Sequence, residues 1–293
     1  MTKVAIIGFG EVGQCFAGAL CRAGVSLAAY TARRRPAQQD KAEALGIELF
    51  TDLTGLAGFD LVMSVVPGHE AASVARRILP TLNLQTIYID FTAAPTAEKR
   101  ALAGMNYVDA AIMGAVSLHG AATPVMAAGP TAETVASLLN PLGFAIEVMR
   151  NAVPGDATAL KLLRSLFTKG LDALIAECML LAEEQGVRQA LIDTFTDLDA
   201  VPMRQLVSMF LRTHPVHARR RLYEMRTVQN DVAGSNLPSI MLPAIIARLE
   251  RTAALADRMP FAAPTSDGTG EVGLSWLLTA EQAAVKTGPL PYA

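Results

Sequence analysis

The opening stretch "KVAIIGFGEVGQCFAGAL" sets Gly8, Gly10 and Gly13 in G-x-G-x-x-G spacing, after an apolar run that suits a strand and at the start of a run that suits a helix. The spacing alone is weak, and the strand before it and helix after it make it specific. Gly8 permits a tight turn, Gly10 lets backbone come close to a phosphate, and Gly13 lets helix and strand pack closely. The helix N-terminus then favours negative charge. Phe9, Glu11 and Val12 complete the loop as candidate cofactor contacts.

Downstream, short apolar runs alternate with helical patterns as far as about residue 150. The runs are "KVAIIG", "SLAAYT", "IELF", "LVMSVVP", "TIYID", "NYVDAA", "PVMAAG" and "FAIEVM". Helical stretches fall near 12–23, 36–45, 69–79, 96–103 and 131–139. This alternation predicts βαβ units and a mainly parallel sheet. Runs as continuously apolar as "LVMSVV" predict strands buried on both faces. After "RNAVPGDAT" the periodicity is helical, with a long helix over 156–185 and further helices at 188–198, 202–212, 216–232 and 238–257. The Pro/Gly-rich tail from Pro260 suits regular structure poorly, apart from a short helix near 279–286. The expected fold is therefore an α/β Rossmann-type doubly wound sheet over 1–154, followed by an all-α domain over 155–293, the two joined by a long interdomain helix.

At the end of the second strand, "AAYTARRRP" carries no acid between Val25 and Gln39, and Arg33, Arg34 and Arg35 follow Thr31 closely. An acid there suits a ribose 2′-hydroxyl, whereas arginine suits a 2′-phosphate. The expectation is NADP(H) in preference to NAD(H), with Thr31, Arg33 and Arg34 as contacts. A solvated basic helix start is the alternative.

The long helix carries a polar face in an apolar sequence. In "ALKLLRSLFTKGLDALIAEC", Lys161, Ser165, Thr168 and Asp172 fall close together, with Arg164 beside them. Leu160, Leu163, Phe167, Leu171, Leu174 and Cys178 cover the other faces. Such a stripe looks at water or lines a cleft, since charges are seldom buried without partners.

These segments, with "VVP" at 65–67, "DFTAAP" at 90–95, "DAAIMGA" at 109–115 and "GDATALKLLRS" at 155–165, resemble the β-hydroxyacid dehydrogenase family, which includes 3-hydroxyisobutyrate and 6-phosphogluconate dehydrogenases. The resemblance covers roughly residues 3–186, and the helical half looks like a phosphogluconate-dehydrogenase-like C-terminal domain. It implies that Lys161 is the general acid/base acting on the substrate oxygen while hydride moves to or from nicotinamide. It also implies that the polar helix face borders an interdomain cleft, and that Val66 and Pro67 border the nicotinamide. Thr92, Met113, Gly114, Ala115, Arg164, Ser165 and Thr168 become candidate substrate contacts, with Arg164 as an anion anchor. Thr92 has a second reading, as a cap of the helix that follows. Where many members carry asparagine this chain has Arg164 followed by Ser165, and the usual Ser-Gly-Gly is Met113-Gly114-Ala115. Those departures imply a substrate unlike 3-hydroxyisobutyrate.

The implied activity is an NADP-dependent oxidoreductase acting on a small, anionic hydroxy acid or its oxo form. An imine reductase-like enzyme and a non-catalytic NADP(H)-binding sensor or scaffold are the alternatives. His69 and His119 lie near the same edge without a required role, and His214 and His217 lack the acidic company of a metal site. Arg219, Arg220, Arg221 and Arg226 read either as a solvated helix face or as an anion site. With 25 Lys and Arg against 27 Asp and Glu, the net charge of -2 gives no reason to expect nucleic acid or an anionic membrane as partner. No uncharged apolar run is long enough to span a bilayer. The opening lacks a signal-peptide pattern, and Cys15, Cys21 and Cys178 read as free thiols, so a cytoplasmic location is expected. Apolar stretches such as "LPSIMLPAIIARL" in the helical half imply a homodimer.

Overall fold

Each of the eight apolar runs is a strand in the computed structural model, which describes residues 2–104, 106–262 and 269–287. The strands are β1 (Lys3–Ile7), β2 (Ser26–Tyr30), β3 (Glu48–Phe50), β4 (Leu61–Ser64), β5 (Ile87–Asp90), β6 (Tyr107–Ile112), β7 (Pro124–Ala128) and β8 (Ala145–Val148). Helices α1 (Glu11–Arg22), α2 (Pro36–Leu45), α3 (Gly68–Ile78), α4 (Thr96–Arg100), α5 (Val116–His119) and α6 (Ala132–Leu139) connect them. The sheet order is β3-β2-β1-β4-β5-β6-β7-β8. Its first six strands are parallel and have the Rossmann order, which places a ligand crevice at the carboxyl ends of β1 and β4, where the order reverses.

Side-chain alternation explains why these runs are apolar throughout. Val4 and Ile6 join one buried cluster with Phe16, Leu20, Met63 and Ile89. Ala5 and Ile7 join another with Tyr30, Val62, Tyr88 and Tyr107. A strand covered on both faces has no polar side to show. β7 departs from the parallel pattern, pairing antiparallel with β6, while β8 runs parallel to β7. The segment between β6 and β7 holds only α5 and a single 3₁₀ turn, too little chain for a parallel crossover.

The chain divides into two compact units, Met1–Phe167 and Thr168–Ala293. The division falls inside the long helix α7 (Asp156–Glu184), whose first turn is tied to the sheet by backbone bonds from Gly155 and Thr158 to Asp109. In the second unit follow α8 (Arg188–Asp193), α9 (Thr196–Asp199), α10 (Met203–Asp231), α11 (Met241–Arg258) and α12 (Glu271–Thr287). The stretch expected as one helix over 188–198 is thus two short ones.

Two expectations for this half need larger correction. The helices expected at 202–212 and 216–232 are one, α10, which runs through Pro215. Proline removes a backbone donor and strips the carbonyl four residues earlier, that of Leu211, of its partner. Gly273 of α12 packs so closely on this carbonyl that an added Cβ would lie 2.2 Å from it. The tail helix is also longer than the expected 279–286, because Gly270 and Gly273 are contact points against α10 and not breaks. The remainder of the Pro/Gly-rich tail, 263–268 and 288–293, lies outside the described residues.

Glu177 of α7 fastens the start of α11. Its carboxylate accepts the backbone N–H groups of Ile240, Met241 and Leu242 and the Ser239 hydroxyl. These bonds hold its pKa down against the opposing effect of burial. Leu255, Ala280 and Ala284 pack with Trp276 between α11 and α12, and Arg251 grips Glu281 with two nitrogens.

Candidate active site

The glycine loop is a tight turn between β1 and α1. Gly8 has φ +99°, and a Cβ on it would lie 2.7 Å from the Val65 carbonyl oxygen. Gly13 is closer still, its virtual Cβ 2.0 Å from the Gly8 carbonyl oxygen. Around Gly10 nothing lies within 4 Å of that position. Two glycines therefore close the β1–α1 turn against β4, and the middle one leaves room for a ligand phosphate at the start of α1. Glu11 is exposed and Val12 half-buried beside it. Phe9 is different: it is 1% exposed in the core, and its carbonyl accepts the side-chain amides of Gln14 and Gln38.

At the end of β2, the Thr31 amide donates to the Phe50 carbonyl and its hydroxyl to the Arg33 carbonyl. Arg33, Arg34 and Arg35 are exposed, and none of the ion pairs among the described residues engages them. Across the crevice, the Val65 amide donates to Ile7, Val66 packs on the second core cluster, and exposed Pro67 starts α3. The loop and the exposed arginines thus lie at the carboxyl ends of β1 and β2, where sheets of this order bind ligands.

The carboxyl ends of β5 and β6 carry a buried polar network that the motif reading passed over. Lys99 of α4 is 1% exposed, and its Nζ lies 2.7 Å from Asp109 Oδ1, 3.4 Å from Asp90 Oδ2 and 2.6 Å from the Thr92 carbonyl. Asp90 Oδ1 accepts the Thr92 amide and hydroxyl, and its Oδ2 accepts the Tyr107 hydroxyl at 2.7 Å. Burial and the Asp90 charge push the Tyr107 phenol far above its ordinary range. Asp109 Oδ2 accepts the amides of Gly155 and Thr158, and its Oδ1 accepts the Thr158 hydroxyl at 2.7 Å. Buried carboxylates of this kind persist because every oxygen has a donor.

The capping role expected of Thr92 is not realised: the N-cap of α4 is Pro95, and the Thr92 hydroxyl is spent on Asp90. Met113 continues the β6–β7 pairing through its amide and packs on Ala111, Ala128 and Ala157. Gly114 and Ala115 are exposed at the start of α5.

Lys161 stands one turn after Thr158 and is half-buried. Burial lowers its pKa most, the Lys99 charge lowers it further, and Asp109 partly offsets both. Arg164 is exposed and Ser165 half-buried on the same stretch of α7, while exposed Thr168 begins the second unit. Lys161 thus follows by three residues the Thr158 that binds Asp109 of the Lys99–Asp109 network.

The histidines fall elsewhere in chemistry. His69 is exposed beside Glu70. His214 is half-buried against Thr252, its pKa lowered to about 4 by burial and then by Arg248 and Arg221. The arginine run is mostly paired: Arg219 with Asp257, Arg220 with Glu224 and Arg226 with Glu250. Arg221 donates to the Thr213 hydroxyl. Cys15, Cys21 and Cys178 are free, their thiols raised by burial. Among the described residues no helix is long and apolar enough to cross a membrane.

Sheet order, glycine loop and crevice together define a dinucleotide-binding protein of the oxidoreductase type. Residues 3–149 match the family described as the NAD binding domain of 6-phosphogluconate dehydrogenase, and residues 182–252 match a domain of unknown function. A conserved hypothetical protein from Sinorhizobium meliloti 1021 is 30% identical, with 96% of this chain and 97% of that one covered and a TM-score of 0.59. A conserved protein of unknown function, described as structurally similar to 3-hydroxyacid dehydrogenases, is 32% identical over 85% of this chain and 96% of its own, with a TM-score of 0.61. The reductive aminase of Aspergillus terreus, solved with NADPH and ethyl levulinate, shares the fold with a TM-score of 0.69 at 16% identity, covering 95% and 99% of the two chains. The chain belongs to the β-hydroxyacid dehydrogenase family.

Proposed function

We propose that the protein is an NADP(H)-dependent oxidoreductase acting on a small anionic hydroxy acid or its oxo form, with Lys161 as the general acid/base. The observation that carries this reading is Lys161 itself, half-buried on the first turns of α7 with its pKa depressed by burial and by Lys99. A lysine that releases its proton more readily suits proton transfer to or from an alcohol oxygen.

When bound, the nicotinamide supplies or accepts the hydride. Gly8, Phe9, Gly10, Glu11, Val12 and Gly13 would form the phosphate side of its site, Val66 and Pro67 the nicotinamide side, and Thr31, Arg33 and Arg34 the ribose side. The unpaired guanidinium groups support NADP(H), because a 2′-phosphate gives them a partner and a bare hydroxyl does not. Lys161 Nζ would donate a proton to the substrate oxygen in the direction of reduction and accept it from the hydroxyl in the direction of oxidation. Arg164 would bind the anionic group, with Met113, Gly114, Ala115, Ser165 and Thr168 shaping the rest. Thr92 enters this reading through Asp90, to which its hydroxyl is committed.

In domain terms, residues 1–154 would bind cofactor and residues 155–293 would contribute substrate contacts and dimerisation. Support for a homodimer comes from α7, where Leu163 is 65% and Leu166 71% exposed along a helix otherwise rich in leucine. The free thiols support a cytoplasmic setting. Imine reduction is the second reading, favoured by Met113 in place of a hydroxyl-bearing residue.

The test is a panel of short hydroxy acids with NADP+ and of oxo acids and cyclic imines with NADPH, followed at the nicotinamide absorbance. Turnover of hydroxy or oxo acids that collapses in Arg164→Ala supports the reading. Turnover of imines alone moves the assignment to the second one, and tight NADPH binding without any turnover moves it to a sensor.

A further inference from the structure

Lys99 takes no part in the reaction proposed above, yet it is the most enclosed cation among the described residues and sits where five segments meet. Its ammonium touches the side chain of Asp90 at the end of β5, the Thr92 carbonyl in the following loop and Asp109 in β6. Asp109 in turn takes the amides of Gly155 and Thr158 and the Thr158 hydroxyl at the start of α7. One helical turn beyond Thr158 is Lys161. The ionisable groups packed around the pair are Asp90, Asp109 and Tyr107, with the Arg100–Asp156 ion pair at the helix start.

We propose that Lys99 is the positioning residue of this site: by bridging Asp90 and Asp109 it sets the clamp that fixes the first turn of α7, and its ammonium, seated against Asp109, opposes that carboxylate's pull on Lys161. With Asp109 occupied by Lys99 and by the amides and hydroxyl of the helix start, its charge is not free to capture the Lys161 ammonium in an inert ion pair. Lys161 keeps a proton that it can release. If Lys99 is neutralised, Asp109 faces Lys161 without an opposing charge, and the Lys161 ammonium becomes the favoured form. The charge on Lys99 is therefore required for the poise of Lys161, and its contacts are required for the placement. The importance of this poise rests on the reading of Lys161 as proton carrier, but the coupling between the two lysines is measurable without turnover.

The experiment is trace acetylation of the full-length protein with acetic anhydride across a pH series, with the labelling of the Lys161 peptide read by mass spectrometry. In the wild type, the Lys161 midpoint should lie below the ordinary lysine value of 10.5, because burial and then the Lys99 charge disfavour its ammonium. In Lys99→Gln its midpoint rises by about one pH unit, a roughly tenfold loss of neutral amine at a given pH, whereas Lys99→Arg keeps the wild-type midpoint. An unchanged midpoint in folded Lys99→Gln overturns the proposal. Should circular dichroism show that variant unfolded, Asp109→Asn carries the test with the opposite sign: the midpoint falls below the wild type, and a rise or no change overturns the proposal. If the coupling is found while Lys161→Met keeps full turnover, the positioning relationship stands and the catalytic assignment falls.

Discussion

Thr158 binds Asp109 twice, through its hydroxyl to Oδ1 at 2.7 Å and its amide to Oδ2 at 2.9 Å, so the first turn of α7 is fastened to strand β6 three residues before Lys161. Both partners are fully buried. Asp109→Ala would strip Lys99 of its nearest carboxylate and leave the amides of Gly155 and Thr158 unpaired. A loss of about 3–5 kcal/mol is expected, read by urea unfolding at pH 7. Thr158→Val removes only the hydroxyl bond and should cost about 1 kcal/mol.

Lys161→Met should reduce turnover by roughly 10²–10⁴-fold, the usual contribution of a positioned acid/base. NADPH affinity, measured by fluorescence, should stay close to wild type. In the wild-type enzyme the lysine limb of the pH profile should lie below 10.5, because burial and Lys99 both disfavour the ammonium.

His214 makes stability depend on acid. Its pKa is about 4 in the folded chain against 6.5 for the free side chain, so between those values the unfolded state binds a proton that the folded state refuses. Stability should rise from about pH 4 to 6.5 and then level off, this one group contributing about 2–3 kcal/mol. His214→Gln, which can still donate to Thr252, should flatten that slope in urea titrations at pH 4.5 and 7. An unchanged slope would remove His214 from the account.

Leu163 and Leu166 are exposed on α7 although the surrounding sequence reads as a buried helix. Sedimentation should give about twice the chain mass of 31.0 kDa, and Leu163→Glu with Leu166→Glu should halve it. A wild-type monomer would contradict the dimer.

Much of the first half was legible because parallel strands buried on both faces leave continuous apolar runs, and all eight runs became strands. Strand direction has no such mark, so antiparallel β7 was missed, although the short segment after Ile112 was a clue. In the helical half, Pro215 was read as a break, whereas α10 continues and presents the freed Leu211 carbonyl to Gly273. That contact comes from a helix more than fifty positions away. The glycine loop was readable because its demands are local to one turn. Lys99 was not: the carboxylates ending "IYID" and lying within "NYVDAA" signalled buried charge in need of a partner, but only the sheet order puts α4 between them. On α7, Leu163, Leu166 and Phe167 are half or more exposed within the single chain, which the apolar sequence around them does not signal.

The most direct measurement is a fluorescence titration of the purified protein with NADPH and NADH, repeated after Arg33→Ala and Arg34→Ala together. The account predicts a clear preference for NADPH that falls by about 10–100-fold in the double variant, with NADH affinity nearly unchanged. Binding of neither nucleotide to the wild-type protein would contradict the enzymatic reading as a whole.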